Sequence, residues 1–519
     1  MKRIATIILA VAMLVSVHVF AVACSGDKGG TTTQKTEVET TAKSDVTTAD
    51  AGTQTTTETV TETEEVTESA ELTGKEVLPG YEDVNFGGRT FLIASNADED
   101  GDWADAADFW VEGITNDAIN DAVWERNDVM SKLYNCSIEV DNGGWDNGFN
   151  AAVASGDDRY IAASSEYALF GGYASGKYYN VLKLGIDLTQ DWWDQNFIMD
   201  ASCDGKLFGI IGDFSLHAMS ATWIMFFNKD VYESKFADTD IYQLVRERKW
   251  TLDVMADMID KIKNDANGDS SYTFTEGADA DTLGLMTTAH NYRGLYFASG
   301  LRLVTKTEQT TDGSFITALT NQPNGADVID KLINVCNTEG YISGGYSDVQ
   351  KGIQNGSTLF AGEVMDVLRR MAGAENLRVG VLPQPLYAEG QNSYHCYVNN
   401  RAAFLCIPTS FSDMEVIADF FTLFAYHSSK LVRPAYINTF KYTYANDEES
   451  GEMIDIIIDS RVFDPGYLGS FAIKMDGYIG TMITDKKNNY VKASTSYAKS
   501  DTANLEAYRE KIAAIDDNY

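Results

Sequence analysis

The sequence predicts an α/β fold built from at least two lobes. Short apolar segments, typical of buried strands, alternate with longer segments whose apolar residues recur at helical spacing. The opening order places a strand over 89–94, a helix behind a capping residue at Thr115, and a second strand over 136–140. The globular part begins near residue 78, and its roughly 440 residues are too many for a single hydrophobic core.

The same alternation continues along the rest of the chain. Amphipathic helices are predicted over 252–264 and 414–427. Further strands are predicted at 160–163, 207–211, 222–228, 282–286, 358–360 and 402–407. Sheets of this class bind ligands beyond the carboxyl ends of their strands, so we expect a binding site in the loops that follow strands.

Residues 1–23 are typical of a secretion signal. Two basic residues precede an apolar run over 4–22, and the small residues Ala21 and Ala23 flank the step into Cys24. The letters AVAC resemble a bacterial lipobox, which implies that Cys24 is diacylated and becomes the first residue of the mature chain. A retained anchor is the alternative, because the apolar run could nearly span a bilayer. Lipidation predicts a location on the extracytoplasmic face of the cell membrane.

Residues 24–77 predict a disordered linker. Thr and Glu dominate the segment and large apolar side chains are almost absent, so nothing offsets the entropy cost of ordering it. For roughly 50 residues, coil statistics give a reach of about 40 Å and full extension gives about 170 Å. The remaining residues, 78–519, then form the globular domain.

Charge and cysteine content argue against several classes of partner. The formal net charge of -37 argues against nucleic acid and against an anionic membrane surface. Five cysteines remain after Cys24, and no two of them form a close C-x-x-C pair. The sequence therefore predicts neither a disulfide framework nor a zinc site.

Enzyme motifs are absent from the sequence. It contains no H-E-x-x-H and no G-x-S-x-G, and its few histidines are too scattered to suggest a metal cluster. With 77 carboxylates, adjacent acidic pairs are expected by chance, so no pair indicates glycosidase chemistry. We predict a protein that is not an enzyme and requires no cofactor.

One pattern hints at a structural calcium ion. Oxygen-bearing side chains occupy positions one, three, five, seven and twelve of a calcium loop: Asp265, Asn267, Asp269, Ser271 and Glu276. Position six, where the tight turn prefers glycine, is Ser270. A polar surface turn between a helix and a strand is the alternative interpretation.

Several stretches in register resemble a known family. GKLFGIIGD, TWIMFFNKDVYE and KWTLDVMADMIDKIK, followed by AHNYRGLYFASG, STLFAGEVMDVL and VGVLPQP, resemble extracellular solute-binding lipoproteins of carbohydrate ABC transporters, of the maltose-binding-protein-like family 1 type. The resemblance covers nearly all of 80–519. It implies a two-lobed periplasmic-binding-protein-like fold of type II, in which each lobe is a mixed sheet flanked by helices. Lobe one would comprise about 80–211 and 396–438, and lobe two about 212–395 and 439–519.

This resemblance implies a tethered receptor that closes around a sugar or oligosaccharide. The implied partners are the carbohydrate ligand, the membrane permease subunits of an ABC importer, and the membrane through the lipid anchor, with the protein acting as a monomer. Two alternatives stay open. A receptor for another solute, such as a peptide, would share the fold, and a secreted glycan-degrading enzyme would share the signal, linker and aromatic content.

Sugar recognition requires flat aromatic faces together with carboxylate and amide groups that pair with hydroxyls. The family architecture places such groups in loops at strand ends. The candidates in lobe one are Ser95, Asn96, Ser165, Glu166, Tyr167 and Asp213. Those in lobe two are His290, Asn291 and Tyr292, before a predicted helix, and Glu363, at the start of another predicted helix. Further stacking candidates are Trp103, Trp145, Trp192 and Trp193.

Overall fold

The computed structural model describes most of the globular domain. The described residues are 73–95, 106–144, 148–166, 175–277, 279–371, 377–445 and 447–516. The predicted secretion signal, Cys24 and nearly all of the predicted linker lie outside them. Within the described part of the chain, no helix is long and apolar enough to cross a membrane.

Strands and helices alternate along the chain. The strands are β1 Arg89–Ser95, β2 Cys136–Asn142, β3 Tyr160–Glu166, β4 Trp223–Asn228, β5 Leu283–Thr287, β6 Val304–Lys306, β7 Phe315–Thr317, β8 Tyr341–Ser343, β9 Thr358–Val364, β10 Val379–Leu382, β11 Cys396–Tyr397, β12 Ala403–Cys406 and β13 Arg461–Val462. The helices are α1 Ala106–Phe109, α2 Ala118–Tyr134, α3 Asn150–Ser155, α4 Gln195–Ala201, α5 Leu216–Ser220, α6 Lys229–Phe236, α7 Ile241–Arg246, α8 Leu252–Ile262, α9 Asn291–Ala298, α10 Gly325–Cys336, α11 Tyr346–Gln354, α12 Asp366–Met371, α13 Met414–His427, α14 Arg433–Asn438, α15 Glu448–Asp459, α16 Pro465–Leu468, α17 Ile473–Thr484 and α18 Tyr490–Ala513.

Two mixed sheets form the framework. In the first, of order β12-β3-β1-β2, only the β12–β3 pairing is antiparallel. In the second, of order β10-β4-β9-β5-β8, strand β4 runs antiparallel to both of its neighbours. Phe420 of α13 packs against Phe91 of β1 with ring centroids 4.3 Å apart, and Trp250 packs against Phe360 of β9 at 5.4 Å. The predicted α/β class with helix-flanked mixed sheets is confirmed.

The segment 207–211 was predicted as a strand, and this prediction is wrong. It is extended and joins β12 through one isolated bridge, in which Ile210 and Leu405 exchange backbone hydrogen bonds of 2.8 and 3.0 Å. The physical reason is that the segment runs from one sheet to the other instead of lying within either. Gly209 allows this close passage, because a Cβ there would overlap the ring of Phe404.

The start of α2 also differs from the prediction. Asp117, and not Thr115, is the capping residue, because its carboxylate accepts the N–H groups of Ile119 and Asn120 at 3.0 and 2.9 Å. The backbone N–H of Thr115 instead donates to the side chain of Asp121 at 2.8 Å. The helix therefore begins three residues after the predicted cap.

Connections between the sheets use two stretches, 207–222, which contains α5, and 383–402, which contains β11. An antiparallel bridge between Thr222 and Val398 ties the two stretches together. After the last strand of the first sheet, α15 packs on β10, and α17 and α18 pack on α10, all beside the second sheet. The predicted residue limits of the two lobes stay a prediction.

Residues 73–88 form a strap over the helices of the first sheet. The backbone N–H of Leu78 donates to the hydroxyl of Tyr134 at 3.2 Å, and that of Phe86 donates to the Tyr134 carbonyl at 2.8 Å. Gly74 has φ +81°, and a Cβ at this position would overlap the side chain of Lys430. Main-chain contacts thus hold the strap close to α2 and α13.

His427 completes this attachment. Its Nδ1 lies 2.7 Å from the Gly74 carbonyl, which can only accept, so Nδ1 donates. Its Nε2 then accepts from the Tyr134 hydroxyl at 3.2 Å. Burial lowers the pKa of His427 to about 4, which keeps the ring in the neutral form that makes both bonds.

Acidification should weaken this attachment. Because an unfolded histidine titrates near pH 6.5 and folded His427 near 4, the unfolded chain binds the proton first as the pH falls. The contribution of His427 to stability is complete above about pH 6.5 and is lost progressively toward pH 4. The loss is on the order of 3 kcal/mol, measurable by denaturant unfolding across this range.

The control is His427→Gln, whose amide can donate to Gly74 and accept from Tyr134 without titrating. Other groups titrate in the same range, so the comparison between the two proteins isolates His427. We expect a smaller decrease in unfolding free energy in the variant. Equal pH dependence in both proteins would contradict the assignment.

Candidate ligand-binding site

A cavity of about 300 Å³, here called the interlobe cavity, lies between helices that follow the first sheet and a helix that follows the second. Helix α1 and the start of α2 come after β1, α12 comes after β9, and α5 belongs to the stretch that joins the sheets. Its polar lining residues are Asp108, Asp117, Asn120, His217, Ser220, Asp366 and Arg369. Its apolar lining residues include Val111, Ile119, Leu216, Tyr436, Phe440 and Tyr444.

Asp366 is held by two arginines of its own helix. It is the first residue of α12, and its carboxylate oxygens accept from Nε of Arg369 at 3.0 Å and Nε of Arg370 at 2.8 Å. The spacings i,i+3 and i,i+4 put these side chains on one helix face. Asp366 is nearly buried, whereas Arg369 is half exposed. The cavity therefore presents a fixed carboxylate beside a guanidinium that can donate to a ligand.

Arg126 fixes the wall formed by α1. Its fully buried guanidinium donates to the carbonyls of Asp108 at 3.0 Å and Phe109 at 2.8 Å. Burial lowers the pKa of Arg126 to about 9, and the charge of Asp108 opposes this shift. The carboxylate of Asp108 in turn accepts the backbone N–H of His217 at 2.7 Å. Helices α1 and α5 are thereby joined at the cavity.

The His217 ring links α5 to the first sheet. Its Nδ1 accepts the backbone N–H of Ala403, in β12, at 3.2 Å. A neutral ring with this acceptor carries its hydrogen on Nε2. His217 therefore positions the joining stretch against the sheet and also forms part of the cavity lining.

Aromatic rings form another part of the wall. Phe440 lies 4.4 Å from Tyr436 and 5.0 Å from Tyr444, measured between ring centroids. The Tyr436 hydroxyl hydrogen-bonds with Ser220 Oγ at 2.8 Å. Three exposed large apolar side chains lie close in sequence to cavity residues: Trp110, Ile114 and Tyr442. The cavity combines aromatic surface with oriented carboxylate, guanidinium and amide groups.

Comparison with solved structures bears on the fold. The chain is similar to the cyclic alpha-maltosyl-1,6-maltose binding protein from Arthrobacter globiformis, with TM-score 0.52 and 13% identity over 80% of this chain and 99% of that one. It is similar to a cyclo/maltodextrin-binding protein complexed with maltotetraose, with TM-score 0.51 and 13% identity over 82% and 97%. It is also similar to M. tuberculosis UspC, with TM-score 0.50 and 13% identity over 80% and 100%.

The protein has the fold of two-lobed solute-binding proteins. No protein-family model matches the chain, and no curated protein matches its sequence. At this level of identity the likeness shows the fold alone. The predicted type of fold is confirmed, and the ligand has to be argued from the site.

The lobe-one candidates that the structure describes do not line the interlobe cavity. Ser95 is buried at the end of β1, with Oγ 3.5 Å from Asn142 Oδ1. Ser165 and Glu166 are the last residues of β3 and pair through their backbones with β12. Asp213 lines a different cavity. Asn96, Tyr167, Trp103 and Trp145 lie outside the described residues.

The other two tryptophan candidates are packing residues in the fold. Trp192 is partly buried and packs edge-on against Tyr426, with ring centroids 5.7 Å apart. Trp193 is buried, and its Nε1 donates to the Asp187 carbonyl at 2.9 Å. Both indoles thus pack against other parts of the protein, and Trp193 also borders a second cavity.

Three lobe-two candidates lie around the start of α9. His290 is exposed just before the helix, and its Nδ1 is 2.9 Å from Nη1 of Arg293. The Tyr292 hydroxyl donates to the Asp476 carbonyl at 3.3 Å. Asn291 is fully buried, and its Oδ1 has no hydrogen-bond partner among the described residues. These side chains do not line the interlobe cavity, so a role in binding stays a prediction.

Glu363 was expected at the start of a helix, but it lies within β9, three residues before α12. It is 3% exposed, and burial raises the pKa of its carboxyl to about 7. The N–H of Val364 donates to Oε2 at 3.1 Å and opposes that rise. Glu363 thus lies in the strand that leads into α12, which carries the cavity residue Asp366.

Replacing Glu363 with Gln should stabilise the protein only at higher pH. The pKa of Glu363 is higher in the folded protein than in the unfolded chain. Its contribution to the free energy of unfolding is therefore complete below about pH 4.5 and is lost as the pH rises through 7. The difference in unfolding free energy between Glu363→Gln and the parent should grow by about 3 kcal/mol from pH 4 to pH 8. Denaturant unfolding at both pH values measures it.

The exposed Glu139, in β2, offers the matched control for this experiment. Glu139→Gln makes the same chemical change at a solvated carboxylate, so its effect on unfolding free energy should vary little with pH. If Glu363→Gln behaved in the same way as Glu139→Gln, the buried acid would not be titrating as described.

The predicted calcium residues form a hydrogen-bonded turn. The carboxylate of Asp265 accepts backbone N–H groups of Gly268 at 2.7 Å and Ser270 at 2.8 Å, and Glu276 pairs with Lys351 at 2.9 Å. Ser270 adopts φ +64°. Across the described residues, no group of three or more His, Cys, Asp or Glu side chains is arranged to hold a metal ion. Calcium binding at this turn stays an untested prediction.

Sequence reasoning missed most of the interlobe lining. Asp366 and Arg369 had a usable signal, because they follow the strand of STLFAGEVMDVL at helical spacing. The strand was predicted to end at 360, but it ends at 364. The residues that follow the strand and line the cavity are therefore Asp366 and Arg369. Asp108 and His217 carried no signal in the sequence, because their partners are distant in the chain.

Proposed function

We propose that this protein is a membrane-tethered extracytoplasmic receptor that captures a sugar or oligosaccharide by lobe closure and delivers it to an ABC importer. The observation that carries the proposal is the interlobe cavity. It combines aromatic rings with a carboxylate oriented by two arginines, between helices that follow strands of both sheets. Such a combination suits a molecule with apolar ring faces and many hydroxyls.

The chemistry of the lining favours a neutral ligand. Asp366 is paired with arginines, Asp117 is occupied by the N-terminus of α2, and the Asp108 carboxylate accepts from His217. Asn120 and Ser220 add neutral polar groups. Sugar hydroxyls can donate to the carboxylates and accept from Arg369.

The similar structures support the sugar class. One is a binding protein for a cyclic maltosyl-maltose, and another holds maltotetraose. The importer role rests on the motif resemblance along 80–519. A receptor for a peptide would share the fold, and the aromatic and hydroxyl-pairing groups of the cavity favour carbohydrate over it.

Capture requires no covalent step and no cofactor. The ligand bridges two lobes, and closure is favoured by contacts made only in the closed state. We infer that the protein is not an enzyme, that lipid on Cys24 anchors it to the membrane, and that it acts as a monomer docking on permease subunits. A turnover assay on glycans separates this receptor from a secreted glycan-degrading enzyme.

Oligosaccharides should compact and stabilise the protein. A panel that includes maltotetraose and a cyclodextrin, tested by solution scattering and thermal unfolding, should contain a ligand that reduces the radius of gyration. At a ligand concentration of 100 times Kd, the free energy of unfolding should rise by about 2.7 kcal/mol. Neither compaction nor stabilisation with any sugar would overturn the carbohydrate class.

Asp366→Asn should weaken that binding by about tenfold to a hundredfold, because it removes the oriented carboxylate. The control is Asp455→Asn, at an exposed carboxylate of α15 that pairs with Lys441. It should leave sugar affinity unchanged. If both variants bound the sugar as the parent does, the ligand would have to lie elsewhere.

A further inference from the structure

A second cavity, of about 270 Å³, lies beside the joining stretch and is here called the hinge cavity. Gly212, Asp213 and Met219 of that stretch line it, whereas Leu216, His217 and Ser220 line the interlobe cavity. The two sets of lining residues have no member in common, so the two cavities are separate sites.

Two ion pairs from distant parts of the chain meet in the hinge cavity. Nη2 of Arg461 lies 2.7 Å from Asp194, and Nε of Arg433 lies 3.2 Å from Asp213. All four side chains line the cavity. The pairing neutralises the buried charges, and it leaves oriented donors and acceptors facing a common space.

Arg461 has one N–H donor without a partner in the part of the chain that the structure describes. Its side chain is 8% exposed, and its Nε donates to the Ile458 carbonyl at 3.2 Å. Its Nη1 is buried and has no hydrogen-bond partner among the described residues. Leaving a buried cationic N–H without an acceptor is unfavourable, so a water or ligand oxygen that reached Nη1 would stabilise this arginine.

The charged groups around the hinge cavity indicate which kind of molecule fits it. Asp191 and Asp459 line the cavity as exposed carboxylates in addition to the two ion pairs, so the site has excess negative charge and disfavours an anion. The described residues hold no arrangement suited to a metal ion. Burial raises the pKa of Asp213 to about 7, so near neutral pH its carboxyl can also donate. A neutral ligand that both accepts and donates fits this set.

Size narrows the ligand further. A volume of about 270 Å³ accommodates one polyol or one sugar ring. The indole of Trp193 contributes an apolar surface among the polar groups.

We propose that the hinge cavity is a second binding site, for a small neutral polyhydroxyl molecule. The proposal is independent of the ligand of the interlobe cavity. The occupant contacts the joining stretch at Asp213 and the end of α15 at Asp459, which also accepts through its carbonyl from Asn196 Nδ2 at 3.0 Å. A molecule bound there stabilises the arrangement of the joining stretch and α15 seen in this structure. Its binding is therefore coupled to movement of the lobes.

Calorimetric titration of the purified full-length protein with glycerol, sorbitol and glucose at millimolar concentrations tests the proposal. At least one of them should bind, and Arg461→Lys should weaken that binding by about tenfold or more. The lysine keeps a cation beside Asp194 but lacks the planar fork that carries Nη1. Arg378→Lys, at an exposed arginine that pairs with Asp230, is the matched control and should bind as the parent does.

Each other outcome overturns the proposal. The proposal is wrong if no polyol binds, or if sulfate or phosphate binds in place of polyols. It is also wrong if polyol binding is unchanged in Arg461→Lys. Loss of polyol binding in Asp366→Asn with retention in Arg461→Lys would assign it to the interlobe cavity. If Arg461→Lys does not fold, Asp191→Asn, at an exposed lining carboxylate, takes its place and should weaken binding severalfold, and unchanged binding there would also overturn the site.

The same variants separate this proposal from the receptor function. Oligosaccharide binding should be lost in Asp366→Asn and kept in Arg461→Lys, the reverse of the polyol result. Failure of the hinge site therefore leaves oligosaccharide capture standing, and failure of oligosaccharide capture leaves the hinge site standing.

Discussion

The structure depends on the passage of residues 207–222 between the two sheets. A buried backbone must find hydrogen-bond partners, and here they come from both sides. Ile210 exchanges two bonds with Leu405 of the first sheet, and Thr222 accepts the N–H of Met365, at the end of β9, at 2.9 Å. These bonds fix where α5 lies, and α5 contributes lining residues to both the interlobe cavity and the hinge cavity.

The two cavities orient their carboxylates in different ways. In the interlobe cavity, Asp366 is held by arginines three and four residues later on the same helix. In the hinge cavity, Asp213 and Asp194 are held by arginines more than 200 residues away in the chain. The first arrangement follows from helix geometry alone, and the second exists only because the fold brings remote segments together. Both leave polar groups already positioned before a ligand arrives, which lowers the entropy lost on binding.

Prediction from sequence was most successful where a pattern is local. The strand over 89–94, the strand starting at 358 and the helix over 414–427 are found within a few residues of their predicted limits, since periodicity reports directly on burial. The failure at 207–211 has a physical reason: an apolar extended segment looks the same whether it joins a sheet or passes between two sheets. Glu363 shows the same limit, because extending β9 by four residues turned a residue predicted at the start of a helix into a buried strand residue.

The sequence by itself determined the class of the fold, the alternation of its elements and the helix-borne pairing around Asp366, because each depends on residues near one another in the chain. Tertiary structure decided which polar groups share a cavity. Asp108 meets His217, and Arg461 meets Asp194, across separations that no spacing rule encodes. The same polar side chains could each have been a surface group or a cap, and the passage of the chain between the sheets selects which of them face a common space.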